Sequence, residues 1–240
     1  GASALEDYGA DLIDLNMGCP VSKVVKAGGG AVLMRDPMLA EEIVRACVAA
    51  VSIPVTVKIR AGWDDQSRNA VAFAARMAAA GAAAIAVHAR TRAQGYAGRA
   101  DWSIIRDVVA AVPVPVIGNG DVVDGPSAAA LLAETGCAGV MIGRAAMGAP
   151  WLFRAVSAHL AGAAPIPDPT PAERGRLAWR HFQYLCNVYG EQTACLHIRR
   201  IACCYARGLP RARDFRQRIV RVVSAQETQA ALASFFETAL

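Results

Sequence analysis

The sequence predicts an α/β fold: a parallel (β/α) domain of the TIM-barrel type, followed by a small all-helical domain. Three observations carry this. Short β-branched runs alternate with alanine-rich stretches through the first two thirds of the chain, the pattern of repeated βα units. The strand candidates are continuous apolar runs rather than alternating ones, as expected of strands covered on both faces. Residues able to do chemistry recur at the C-terminal tips of these runs, where barrels mount their sites. With 240 residues, 55% of them hydrophobic, the chain has ample material for a core.

The first strand is expected at Leu12–Met17. It runs into Gly18-Cys19-Pro20, a rigid turn that sets a thiol at the strand tip. Asp36 and Pro37 read as N-cap and first residue of a helix over 37–51. The next strand, Val55–Ile59, holds Lys58 within an apolar run, and a lone buried ammonium is costly without a partner. A helix over 67–80 leads to a strand, Ala84–His88, that ends in an imidazole. After a helix over 102–112, the strand Val114–Gly118 opens into Asn119-Gly120-Asp121. A helix over 125–136 then precedes the strand Gly139–Ile142 and the turn Gly143-Arg144. Two glycine turns ahead of helices expose backbone N–H groups suited to a phosphate, and barrels place their phosphate site after the last two strands. The competing doubly wound fold calls for G-x-G-x-x-G after the first strand, which Gly28-Gly29-Gly30 does not supply. Five strands are countable where a closed barrel has eight, so either three are absent or the sheet is open.

Residues 161–170 are a proline-rich linker, and Thr170-Pro171-Ala172-Glu173 is a helix start with a capping box. Helices are expected over 171–188, 193–206, 211–223 and 226–238. The predicted division is therefore a partial barrel at 1–160, a linker at 161–170 and a helical domain at 171–240.

Composition narrows the function. No apolar run reaches the roughly 18 residues of a spanning helix, and the first residues lack a signal-peptide pattern. Seven cysteines, an odd number without a CxxC pair, argue for a reducing compartment and against a disulfide framework. A cytoplasmic protein is expected. Cys186, Cys195, Cys203 and Cys204 read as helix-core thiols rather than metal ligands, and no metal is expected. The net charge of +5 is unevenly placed: residues 1–170 carry 14 basic and 15 acidic side chains, whereas residues 171–240 carry 11 and 5. Between Arg199 and Arg221 lie eight arginines and one acid, Asp214. That asymmetry points to a phosphate-rich partner. Arg199, Arg200, Arg207 and Arg216 are the candidate RNA contacts.

Taken together, Asn16-Met17-Gly18-Cys19-Pro20, Thr56-Val57-Lys58-Ile59-Arg60, Val87-His88-Ala89-Arg90-Thr91, Gln94-Gly95-Tyr96-Ala97-Gly98, Asn119-Gly120-Asp121 and Gly143-Arg144 resemble tRNA-dihydrouridine synthases of the bacterial B-type, in order and spacing throughout residues 1–160. The resemblance implies an FMN-binding eight-stranded barrel with a C-terminal helical tRNA-binding domain. It implies NADPH (or NADH) as reductant, and reduction of uridine in tRNA to 5,6-dihydrouridine. It assigns Cys19 as the proton donor and sets Lys58 against the flavin. Asn119, Gly120, Asp121, Gly143 and Arg144 would hold the FMN phosphate end, and His88 and Arg60 would line the same pocket. The Arg90–Trp102 segment would be a mobile loop near the substrate base; Tyr96 and Trp102 are available to stack on or wall that base, and Trp102 reads equally well as a core residue. The family's Ala-Pro-Met motif and a further flavin-contacting glutamine have no counterpart here, so the resemblance starts just before the fourth barrel strand. Where relatives show Arg-Lys-His and then Trp-Tyr, this chain has Arg199-Arg200-Ile201 and Cys204-Tyr205.

The chemistry suits these residue types. Side chains supply no hydride, so reducing a uracil C5–C6 bond requires a cofactor. The accompanying proton needs a positioned acid, and a thiol of ordinary pKa is protonated at neutral pH. The rival readings are a non-catalytic RNA-binding protein on a degenerate barrel and a flavin dehydrogenase of free pyrimidines, the latter leaving the arginine-rich tail unexplained. A monomer is the expected state.

Overall fold

The computed structural model describes residues 1–238. Its contacts divide the chain into two compact units, Gly1–Gly143 and Arg144–Leu240.

The first unit begins with a short helix, α1 (Ala2–Asp7), and a strand, β1 (Ile13–Asn16). A one-turn helix, α2 (Ser22–Lys26), and a 3₁₀ segment (Gly30–Arg35) lead to α3 (Pro37–Ala50), where the Asp36 carboxylate accepts from the Leu39 N–H at 3.1 Å. Then come β2 (Val55–Arg60), α4 (Ala70–Ala79), β3 (Ala84–His88), α5 (Ser103–Ala111), β4 (Val116–Asn119), α6 (Gly125–Thr135) and β5 (Gly139–Met141). All five strands are parallel and pair in the order β1-β2-β3-β4-β5, so each βα unit advances the sheet by one strand. This sequential order is that of a barrel arc rather than of a doubly wound sheet, which reverses direction at a switch point.

Helices are amphipathic in the way the sheet requires. Phe73, Ala74 and Met77 bury one stripe of α4, Ile105 and Val108 one stripe of α5, and Leu131 one of α6. Against them lie Val57, Ile59, Ile85 and Val87, all fully buried. At Gly118 a Cβ would lie 2.4 Å from Leu131 Cδ2, so β4 and α6 pack as closely as glycine allows. β5 is the shortest strand and pairs on one side only, and its Met141 is exposed.

The second unit opens with a 3₁₀ turn (Arg144–Ala146) and α7 (Leu152–Leu160). It continues with α8 (Pro171–Tyr189), α9 (Glu191–Tyr205), α10 (Ala212–Ile219) and α11 (Ala225–Phe236). Thr170 and Glu173 close the capping box at the start of α8. Phe182, Ile198, Phe215, Ile219, Leu232 and Phe236 form the core of the last four helices. Gly175 lets α8 approach α11, since a Cβ there would lie 2.6 Å from that of Phe236.

The contact boundary precedes the 161–170 linker because residues 148–151 belong to the helical core. A Cβ on Gly148 would lie 2.4 Å from the Cys204 carbonyl carbon, and the Trp151 ring sits 6.3 Å from that of Tyr205. Short local helices without strong caps, α1, α2 and α7, are additions to the elements read from the sequence.

Candidate active site

Strand register assembles the site. Asn16 is opposite Lys58, Arg60 opposite His88, and His88 opposite Asn119. Directly opposed residues of parallel strands point the same way, and so do residues two apart. Asn16, Lys58, Arg60, His88 and Asn119 therefore share the face of the sheet that α3 to α6 leave uncovered, at the C-terminal ends of the strands.

Beyond β1 the chain turns at Gly18-Cys19. The Asn16 carboxamide oxygen accepts from the N–H groups of Gly18 and Cys19, at 3.1 and 2.9 Å. The Cys19 carbonyl in turn accepts from Ala31 N–H at 3.0 Å. Gly30 makes that contact feasible: its φ is +62°, and a Cβ would lie 2.6 Å from the Cys19 carbonyl oxygen. Thus Cys19 is held on both sides of its peptide unit, with its thiol half-buried.

Arg60 is buried and ties three loop segments together. Its Nε donates to the Gly18 carbonyl at 2.7 Å, and its Nη1 donates to the carbonyls of Thr91 and Gly95 at 3.0 and 2.9 Å. The Tyr96 ring lies 5.7 Å from its guanidinium carbon. Tyr96 itself is exposed and tilts toward His88, with ring centroids 6.2 Å apart.

Lys58 is the electrostatic anomaly. Burial, and after it the Arg60 charge, bring its pKa down to about 7, with Asp14 opposing them in part. Its Nζ makes one long bond, 3.4 Å to the Ile59 carbonyl. No carboxylate among the described residues lies within ion-pair distance of it. An ammonium placed this way is prepared for an anion that the protein itself does not provide.

The segment Arg90–Trp102 folds back over the β4 turn. Arg90, 2% exposed, donates from Nη2 to both oxygens of Asp121 (2.8 and 2.7 Å) and to the Gly98 carbonyl. Asp121 also accepts from Ala100 N–H, and Trp102 Nε1 donates to the Gly120 carbonyl at 3.0 Å. Arg90 Nη1 is buried without a hydrogen-bond partner. The segment expected to be a mobile loop is thus fastened at both ends in this conformation. Asp121 adopts a left-handed backbone (φ +58°), and Gly120 at φ +132° has no room for a Cβ, which would lie 2.7 Å from Ala100 Cβ.

The structure therefore brings together Cys19, Lys58, Arg60, His88, Asn119, Gly120 and Asp121. Asn119 is engaged within the sheet, its Nδ2 donating to the Met141 carbonyl at 2.8 Å. Gly143 follows β5 by two residues with open space around its Cα, whereas Arg144 opens the second unit. Among the candidate RNA contacts, Arg200, Arg207 and Arg216 are exposed, but Arg199 donates from Nε and Nη2 to the Val222 carbonyl and braces its own unit.

Asn16 and Gly30 are the positioning residues that sequence reasoning did not single out. An asparagine three residues before the cysteine is the one available signal, since Asn readily bonds backbone N–H groups a few residues ahead. Among the described residues no group of His, Cys, Asp or Glu is arranged to hold a metal ion. No helix among them is long and apolar enough to cross a membrane.

The sequence profile described as dihydrouridine synthase (Dus) matches residues 1–240. This chain belongs to the dihydrouridine synthase family. It is 43% identical over 211 residues to a probable tRNA-dihydrouridine synthase of Rickettsia prowazekii, an alignment covering 88% of this chain and 64% of that protein. Over 234 residues it is 43% identical to tRNA-dihydrouridine synthase B of Xanthomonas campestris, covering 98% of this chain and 70% of the relative. A probable tRNA-dihydrouridine synthase of Rhodobacter capsulatus is 41% identical over 235 residues, covering 98% and 72%. The chain spans 64–65% of the length of the Rickettsia family members. Membership in the dihydrouridine synthase family accords with the sequential parallel sheet and the strand-tip side chains described above.

Proposed function

We propose that the protein reduces uridine to 5,6-dihydrouridine in tRNA, with FMN as resident cofactor and NADPH as reductant. The observation that carries this is Lys58: a half-buried amine on the functional face, with no carboxylate in ion-pair distance among the described residues, on the strand paired with the one that leads into the fixed Cys19 turn. Such an amine fits an anionic cofactor such as reduced flavin, and binding one would restore its proton. Reduced FMN, when bound, supplies the hydride to uracil C6.

The chain's own residues do the rest. Cys19 Sγ gives a proton to C5, and Asn16, Ala31 and Gly30 fix the peptide from which that thiol projects. Lys58 holds the flavin by charge. Backbone N–H groups of the Asn119–Asp121 and Gly143–Arg144 turns, with the Arg144 guanidinium, hold the phosphate; the Asp121 carboxylate is already engaged by Arg90. His88 and Arg60 wall the pocket, Arg60 chiefly by tying the Cys19 turn to the 91–95 segment. A uridine inside folded tRNA must be extruded to reach a strand-tip pocket, which calls for a second grip on the RNA. The exposed arginines of α9 and α10 provide it. The reaction places the protein with tRNA in the cytoplasm.

The test is dihydrouridine formation on an unmodified tRNA transcript with NADPH, read by mass spectrometry of the nucleosides. Cys19→Ala should retain bound FMN, seen in its visible spectrum, while losing product formation by about 10²-fold or more. Wild-type rates in Cys19→Ala would overturn the proton-donor assignment, and absence of flavin from the intact protein would overturn the redox reading.

A further inference from the structure

Within the helical unit a groove of about 670 Å³ runs beside Trp151, between the start of α7, the proline-rich linker and α8. Its apolar wall includes Trp151, Pro167 and Leu177, and Arg154, Arg176 and Arg180 stand along it. These three arginines are exposed; Arg176 donates to the Thr238 hydroxyl at 3.3 Å and feels the charge of Glu173.

Two acids also reach the groove, Asp168 and Glu173, but both are engaged. Asp168 accepts from Trp151 Nε1 at 3.2 Å and pairs with Arg174 at 3.4 Å. Glu173 accepts from the Thr170 N–H and hydroxyl at 2.7 and 2.8 Å, bonds that hold its carboxyl below the usual range. The guanidinium of Arg174 covers the Trp151 ring at 5.1 Å and stiffens it. What remains is a stiff aromatic and apolar wall flanked by exposed guanidinium groups, Arg154 and Arg180 foremost. That combination suits one nucleobase with its flanking phosphates. The volume is within the range of small-molecule sites.

We propose that this groove binds a single unpaired nucleotide of RNA. The base rides on Trp151, Pro167 and Leu177, and the phosphates meet Arg154, Arg176 and Arg180. The proposal deepens the tRNA reading above and rests on it. It adds a contact apart from the arginines of α9 and α10, on residues that charge counting alone did not pick out.

The experiment uses the intact protein and a fluorescent five-nucleotide oligouridine carrying one 5-iodouridine. Binding is followed by anisotropy across a salt series and the contact by photocrosslinking with peptide mass spectrometry. No reductant or turnover enters, so failure here is distinguishable from failure of the synthase assignment. Arg154→Gln with Arg180→Gln should weaken binding on the order of tenfold and reduce the salt slope by about 1.4, the value for two single-strand phosphate contacts. The charge-matched control Arg45→Gln with Arg106→Gln, on the first unit, should bind as wild type. The crosslink should fall on the peptide containing Trp151. Unchanged affinity in the groove variant would overturn the proposal. So would equal loss in the control, or crosslinks confined to α9 and α10. Uridine 5′-monophosphate binding as tightly as the oligomer would reassign the groove to free nucleotides and likewise overturn it.

Discussion

At the scale of single residues, Lys58 and Asn16 govern the site in different ways. Lys58 titrates near 10.5 when unfolded and at about 7 when folded. Between those values the unfolded chain binds the extra proton, so stability rises with pH there. Below about pH 7 the full cost of the partly desolvated charge is present. Lys58→Met should therefore raise the thermal midpoint at pH 7 by a few degrees and flatten the climb seen in wild type toward pH 10.5; calorimetry of flavin-free protein at several pH values checks this. Asn16 acts through geometry. Its carboxamide receives two N–H groups that Asn16→Ala would leave without that acceptor, at about 1–2 kcal/mol. We expect that variant to stay folded while Cys19 loses its fixed direction, seen as an altered rate of alkylation by iodoacetamide. A Cys19 rate identical to wild type would argue that the turn holds without Asn16.

At the scale of elements, the 90–102 segment is the informative case. Besides the Arg60 bonds to Thr91 and Gly95, it is anchored by the buried Arg90 guanidinium on a partly exposed carboxylate at a left-handed residue. Asn tolerates that backbone region, so Asp121→Asn removes the charge without straining the turn. Arg90 keeps its bonds to the Ala97 and Gly98 carbonyls, so losing the opposite charge should cost about 1–3 kcal/mol, and the segment should become cleavable by trypsin at Arg92 or Arg99 well before the sheet unfolds. The segment's role was legible only by resemblance, because nothing local in Arg90 announces a partner 31 residues away. The strands were far more legible. Val55–Arg60 and Ala84–His88 lie within one residue of where their apolar runs put them. Long β-branched runs covered on both faces leave little choice. Helix starts at Asp36 and Thr170 were readable from their caps. By contrast α1, α2 and α7 begin without a side-chain cap bond, so their starts carry no such signal. Gly30 was visible only as one of three consecutive glycines; its positive φ and its closeness to Cys19 exist only in the fold. The same holds for Arg199, whose charge suggests RNA while its bonds run to Val222.

At the scale of the whole molecule, the two units each have a core of their own. The helical one is aromatic, with Phe215 stacked on Phe235 at 4.2 Å and Trp179 on Phe182 at 5.4 Å. Phe182→Ala should destabilise that unit by about 3–5 kcal/mol. Amide exchange in β2 and β3 should keep its wild-type protection, whereas loss of protection throughout would show one cooperative body. In the first unit, all five polar side chains share one side of the sheet only because each strand is in step with its neighbour. Position along β2 thus has a parity. One added residue between Val55 and Lys58 would turn the amine and guanidinium into the helix layer and bring Val57 and Ile59 out in their place. Two added residues would restore the sides and leave only a local bulge. An insertion scan of β2 should accordingly alternate, with odd lengths abolishing flavin retention and even lengths sparing part of it, a rhythm that no table of single substitutions in this protein would reveal.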